Sequence, residues 1–368
     1  MNSASVRIIA VGDLCFNGRY RPRLARRGAR YPFHRVLPEW READLRLGNL
    51  ESPITAAPKT FPSKLTLRAA PDAAAALSTA GFDCVTLANN HMLDFGPEGL
   101  ADTRTALDAR GMIHVGAGMD LAAASAPAVL HCKGRTIGVV AFCLVEQNSA
   151  LYAGPTTPGV APLDVDGAVR RIRELRPRVD WLIVQIHWGV EMSRLPTPEQ
   201  RRWAARLAEA GADLIVGHHP HVLQPYETIG GVPVFYSLGN FLFSDMYWRG
   251  CSKTGDPFLT KLRLHPLSRR TGWAEVVLQR GRPAQAQFHP ARLGRDLALR
   301  PERTAARDRD WEALCAALDA PDYDALAAAE GRRAQARLDW ASAWRPIQRR
   351  IEMRLVHYGL VPFAVEAD

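Results

Sequence analysis

Six apolar stretches in the first 240 residues each stop at polar residues with chemical potential. RIIAVG runs into Asp13, and LRLG into Asn49 and Glu51. CVTLA is followed by Asn90, His91 and Asp94, and WLIVQI by His187 and Glu191. DLIVG leads to His218, His219 and His221, and VFYSLG to Asn240. The runs are short and bounded by Gly or turn residues, and several are rich in β-branched residues, as buried strands are. Amphipathic segments lie between them. The spacing predicts helices over 71–82, closed by Gly81, and over 97–111, with Pro97 at the start and Gly111 at the end. Further helices are expected over 164–176 and 197–210. Strands alternating with helices, then strands in a row to about residue 290, predict α/β layers around a pair of sheets. In such sheets the carboxyl ends of the strands converge on the ligand crevice, so the six endings describe one site.

The texture changes near residue 295. Residues 301–357 are rich in Ala, Arg, Asp and Trp and carry no strand signal. WEALCAALDA, YDALAAAEGRRAQARLDWASAW and IQRRIEMRLVHYG have helical spacing. The reading is therefore a catalytic domain over 1–295 and a helical appendage over 296–368. The appendage is either a layer packed on that domain or an arm that binds a peptide or partner.

Composition adds exclusions. With 47% apolar and 23% charged residues among 368, the chain is neither disordered nor collagenous. The net charge is +9, and all but five of the 47 basic residues are Arg. Arg suits carboxylate and phosphate partners, but charge speaks of solubility rather than fold. No nucleic-acid recognition motif accompanies it, so no specific nucleic-acid partner is expected. The six Cys are scattered without a CxxC pair, as buried reduced thiols are. No run of 18 apolar residues and no secretory pattern is present, so the expectation is a cytoplasmic protein without a membrane partner.

The donor types at the strand ends narrow the chemistry. Imidazole, carboxylate and amide without paired thiolates suit divalent ions of the Mn, Zn, Fe or Ca type. His219-Pro220-His221 can aim two imidazoles at one centre from an extended segment. A hydrogen-bonded core histidine is the plain alternative for any single member, and the convergence of the set favours ligation.

The stretches VGDLCFNGR, PFHRVLP, ADLRLGNLESPIT, AGFDCVTLANNHMLDFGPEGLADT, GMIHVGAG, IVQIHWGVE, GADLIVGHHPHVLQP and VFYSLGNFLF occur in order over about residues 6–245. In these the chain resembles the CapA family of poly-gamma-glutamate capsule synthesis proteins, relatives of the calcineurin-like metallophosphoesterases. The resemblance implies a four-layer αββα sandwich with one or two metal ions at the strand ends. It implies metal ligands at Asp13, Glu51, Asn90, His187, His219 and His221, with His91 acting near the substrate. Two positions depart from true phosphoesterases: Cys15 stands where their first motif has His, and Asn49 where they have a bridging Asp. Glu51 is then the carboxylate that can take the place of that Asp.

Two reactions fit such a site. The metal can activate water against a phosphoester or amide. It can also polarise a carbonyl while bases remove and return the neighbouring Cα proton, which epimerises without cleavage. His91, Asp94 and Glu191 are the candidate acid/base groups; Asp94 is equally a partner that orients His91, and Glu191 equally half of an ion pair. Cys15, Asn49, His218 and Asn240 are candidates for contact with substrate. The leading expectation is epimerisation of a residue in a ribosomal, lasso-type precursor peptide. The alternatives are a metallohydrolase, or a non-catalytic partner in polyglutamate production. The expected substrate is a peptide or a polyglutamate-like chain.

Overall fold

The computed structural model describes residues 5–58, 65–144, 151–251, 257–302 and 304–343. Two sheets form the body. The larger runs in the order Leu299–Pro301, Gln285–Leu293, Arg270–Leu278, Val6–Leu14, Leu45–Leu50, Cys84–Thr86, Ile113–Val115, and Asn240–Leu242 also pairs with Val6–Leu14. The side built from residues 6–115 is parallel and the side built from 270–301 is antiparallel. The second sheet runs Leu223–Ile229, Val232–Leu238, Leu214–His218, Trp181–His187, Arg135–Cys143, Ala128–Cys132. Its centre is parallel and each edge is an antiparallel pair.

Side-chain alternation shows how the layers stack. Ile137, Val139 and Ala141 join a core shared by both sheets, while Val140 and Phe142 join a second cluster under the helices. Likewise Trp181 and Ile183 face the other sheet, and Leu182, Val184 and Ile186 face the helices. Successive strand residues point to opposite faces, so Gln185 and His187 share the inter-sheet face with Ile183. The helices Val165–Leu175 and Pro198–Ala210 cover the second sheet through Val169, Ile172, Ala204 and Leu207. The helices Asp72–Thr79 and Gly96–Asp108 pack on the larger one through Ala76, Leu77, Leu100 and Leu107. The chain is thus the four-layer αββα sandwich that the resemblance implies.

These four helices are the expected ones, with ends shifted by at most three residues. Local chemistry fixes them. Thr197 and Gln200 form a reciprocal capping box, Pro198 opens the helix, and Gly211 closes it with φ of 116°. The helix Tyr20–Arg27 was not expected. Only Tyr20 and Leu24 of it are buried, and its Arg-rich remainder masks the apolar period.

The C-terminal segment contains the expected helices, Ala305–Ala316 and Tyr323–Ala343. IQRRIEMRLVHYG lies outside the described residues. Leu299–Pro301 still pairs with Gln285–Leu293, so the sheet continues past residue 295. The change of texture there marks where apolar strands stop, not where the sheet stops. The C-terminal helices pack on the body: Leu318, Tyr323 and Ala327 enter the cluster of the second helical layer, and Trp311 stacks on Phe288 at 3.8 Å. Among the described residues no helix is long and apolar enough to cross a membrane.

Candidate metal centre

The register of the parallel strands builds the site. Asp13 pairs with Asn49 on one side and Asn240 on the other, and His187 pairs with His218 in the facing sheet. A bulge between Ala10 and Asp13 accompanies the turn of the first strand toward the site. A Cβ on Gly12 would overlap the Gly239 carbonyl oxygen, so glycine is required where these strands meet. His219 and His221 both take positive φ, 97° and 57°, and Met192 does so at 63°. Such backbone costs about 1–3 kcal/mol per non-glycine residue and persists only where surrounding contacts hold it.

Asp13 sits at the floor with no exposed surface. It accepts from Asn49 Nδ2 at 2.8 Å and from the His219 amide at 3.3 Å. His218 Nδ1 and His221 Nδ1 each stand 3.4 Å from its oxygens. Glu51 is equally buried. Its nearest imidazole nitrogens are His221 Nε2 at 3.6 Å and His187 Nε2 at 3.9 Å. Among the described residues neither Glu51 oxygen has a hydrogen-bond donor. His187 Nε2 lies 3.0 Å from Asn90 Oδ1, and its Nδ1 lies 3.3 Å from Asn49 Nδ2. His221 Nδ1 lies 2.9 Å from Asn240 Oδ1.

Two donor groups emerge, Asp13–Glu51–His221 and Glu191–His219–His221, each with its atoms within 4.8 Å of one another. His221 belongs to both. The fit to a cation is tested by Glu51. A buried carboxylate with no donor on either oxygen is costly unless a positive charge faces it. His219 Nδ1 is a second buried atom without a partner. Carboxylates and imidazoles of this kind match a divalent ion.

The electrostatics agree. Burial pushes the Glu51 carboxyl well above its ordinary range, with His221 pulling the other way. For Asp13 burial also acts upward, but His218 and His221 outweigh it and hold the carboxyl well below its ordinary range. Burial keeps His187 well below its usual value and brings His219 down to about 4. Burial opposes a charge on His221, yet Glu51 and Asp13 prevail and carry it up to about 10. For Glu191 burial is outweighed by His219, His221 and His91, which keep it ionised. Without a cation His221 therefore holds a proton that a bound ion displaces. Metal affinity is expected to rise with pH up to about 10, by about tenfold per unit for the proton released from His221. Titrating metal-free protein with Mn²⁺ at several pH values measures the slope, and a flat profile contradicts it.

His91 and Asp94 form a separate pair beside this cluster. Their Nδ1 and Oδ2 atoms are 2.7 Å apart, and Asp94 Oδ2 also accepts the Leu67 amide at 2.7 Å. Asp94 thus orients the ring, with the other nitrogen free to act.

All the predicted residues gather at this end of the sheets, but five take places other than expected. Cys15 has no exposed surface and packs with Leu67, Phe243, Met246 and Leu293. Burial and the Glu51 charge push its thiol well up, so it fills space rather than meeting substrate. Asn49 and His218 are buried in the floor, bonded to Asp13, His187 and Gln185, and present no substrate-facing surface. Glu191, expected as a base, stands in a donor group. Asn240, expected against substrate, is 1% exposed and turned to His221.

Two braces were not anticipated. Asn89 Nδ2 donates to Asn49 Oδ1 at 3.0 Å and to the Leu50 carbonyl at 2.9 Å, tying two strand ends together. Gln185 Oε1 lies 3.3 Å from His218 Nε2. Its polar side chain two residues before His187, on the same strand face, was the available signal.

Fold and site together define a layered α/β protein with a candidate metal centre at its strand ends. The chain belongs to the family of bacterial capsule synthesis proteins PGA_cap, whose pattern it matches over residues 7–245. Every predicted site residue falls inside that span. The chain is 35% identical over 271 residues to the PGA biosynthesis protein CapA of Bacillus subtilis, covering 73% of this chain and 69% of that one. It is 33% identical over 280 residues to a probable polyglutamine synthesis accessory protein of Mycobacterium tuberculosis, covering 73% and 70%. Among solved structures it is similar to the NAD nucleotidase of Haemophilus influenzae, with a TM-score of 0.44 and 14% identity over 92% of this chain and 61% of that one.

Proposed function

We propose that the chain is a metal-dependent hydrolase that cleaves an amide bond in an acidic, polyglutamate-type chain. The observation that carries this is the division of labour at the site: Glu191 groups with His219 and His221, which leaves the His91–Asp94 pair as the acid/base group beside the cluster. The polyglutamate class is taken from the relatives, a PGA biosynthesis protein and a probable polyglutamine synthesis accessory protein, and the excess of Arg is compatible with an acidic ligand.

Asp13, Glu51 and His221, with His187 and Asn90 adjoining, are the residues that would hold a divalent ion, and Glu191 and His219 a second. A cation held there supplies Lewis acidity toward water and toward the substrate carbonyl. His91 does the proton work. Its Nδ1–H donates to Asp94, so its free nitrogen can take a proton from the attacking water. The imidazolium so formed, stabilised by Asp94, returns a proton to the departing amine. Epimerisation needs a second base on the opposite face of the Cα. Glu191 is one of the three candidate acid/base groups, and a place in a donor group with His219 and His221 would withdraw it from that part.

His91→Ala is expected to lower kcat by about 10²–10⁴-fold with metal content unchanged. Asp94→Asn is expected to lower it by about 10–100-fold. Incubating metal-loaded protein with glutamyl oligomers in deuterated water tests the reaction itself. New amine ends support the proposal. Deuterium at Cα with unchanged length overturns it in favour of epimerisation. Neither product, with polymer made normally in cells carrying His91→Ala, points to a non-catalytic partner.

A further inference from the structure

The C-terminal helices reach a loop that joins the second sheet to the donor cluster. This loop, residues 190–196, carries Glu191; Gln224 of the second sheet donates to its Ser193 and Leu195 carbonyls, and the C-terminal helices supply a second set of bonds. Glu330 is 5% exposed, and its Oε1 accepts the Arg194 amide at 3.1 Å and Arg337 Nη1 at 2.6 Å. Arg337 Nη1 also donates to the Met192 carbonyl at 2.8 Å. Asp310 takes a two-pronged bond from Arg194 Nη2 at 3.0 and 2.9 Å and a bond from Arg270 at 2.9 Å. Tyr323 Oη donates to the Pro196 carbonyl at 2.6 Å.

Packing points the same way. Ala334, with no exposed surface, closes a small cluster with Met192 and Val222. Met192 follows Glu191 and Val222 follows His221, so one helical residue presses on the neighbours of two candidate donors. Met192 and His221 are also two of the three residues here in left-handed backbone, a conformation that needs external support. The Met192 amide donates to the Pro220 carbonyl at 2.8 Å, which links the loop to the His219–His221 turn. The helix Tyr323–Ala343 lies outside the 7–245 span that matches the family pattern.

We propose that the helix Tyr323–Ala343 is a positioning element for the metal centre, with Glu330 and Arg337 as the positioning residues that set Glu191 and the His219–His221 turn. The inference rests on the reading of those residues as metal ligands. Glu330 contacts no donor directly; it acts by fixing the backbone at Met192 and Arg194. Fixing that backbone in advance lowers the ordering required when the ion binds, so loss of the clamp should appear as lost affinity before lost fold.

The test titrates metal-free full-length protein with Mn²⁺ and with Zn²⁺, comparing wild type with Glu330→Ala, Arg337→Ala, Glu330→Gln and Arg332→Ala, an exposed site on the same helix. Amide exchange over residues 190–196 and thermal unfolding are followed in parallel. Expected are losses of affinity of about 10–100-fold in the two clamp variants, with faster exchange confined to the loop. Glu330→Gln, which keeps an acceptor oxygen, recovers most of the affinity, and Arg332→Ala matches wild type. Clamp variants that bind as tightly as wild type overturn the proposal alone, as does an equal loss in Arg332→Ala. If wild type takes up neither ion, the ligand reading fails and the proposal falls with it. Should Glu330→Ala unfold globally, Arg337→Ala, which leaves the Glu330–Arg194 bond in place, decides the matter.

Discussion

His221→Ala is expected to abolish metal uptake at both donor groups and to lower turnover by at least about 10³-fold, the largest functional loss of any single change at the site. No other residue belongs to both groups. Its imidazole stands 3.4 Å from Asp13 and 3.6 Å from Glu51, and the pull of those carboxylates carries it up to about 10. Removing it leaves Asp13 with His218 alone and takes from Glu51 the imidazole that faces it. Breaking a buried pair of this sort costs about 3–5 kcal/mol in the metal-free protein. The sign of the pH effect follows from the raised value. In wild type, His221 contributes stability that is complete below its unfolded value of 6.5 and is lost as pH rises toward about 10. The variant should therefore differ most from wild type at pH 6 and least near pH 10. Metal analysis and denaturant titrations at both pH values check this. Full metal retention in the variant refutes the ligand assignment.

Gly12→Ala is expected to give the largest loss of stability, about 4 kcal/mol or more, and often no folded protein at all. The added methyl overlaps the Gly239 carbonyl oxygen, which also accepts the Asp13 amide at 2.9 Å. Backbone on both sides leaves no flexible side chain to give way. Gly331→Ala provides the contrast. That glycine lies inside the helix Tyr323–Ala343 with nothing within 4 Å of a new Cβ. It should gain about 1 kcal/mol from helix propensity alone. Urea midpoints of the two variants test the pair, and a folded Gly12→Ala of wild-type stability refutes the close-approach argument.

Much of the site could be read from the chain because strands announce their own ends. An apolar run that stops at Asp13, His187 or His218 gives the strand and its terminal residue together. The four helices that cover the sheets were equally legible, since Pro, Gly and capping residues act within a turn or two of themselves. The helix Tyr20–Arg27 was not, because its buried face consists of two residues among Arg. Roles were harder to read than positions. Asn49 and Asn240 were expected to meet substrate, and they are turned instead toward Asp13, His187 and His221. An amide side chain has the same sequence signature in either role.

The sequence by itself determined the alternating α/β elements, the donor types at the strand ends and the membership of the family. Those properties are written within about ten residues at a time, in periodicity and in local turn chemistry. Only the tertiary structure decided which of those ends meet. The His219 amide reaches an Asp13 oxygen across 206 residues of chain, and Arg194 meets Glu330 across 136. Strand register, sheet-on-sheet packing and the docking of the C-terminal helix set those distances. They also leave Glu51 without a donor, move Glu191 into a donor group and clamp its loop. These juxtapositions have no local pattern, since each depends on the sum of many contacts made by other residues.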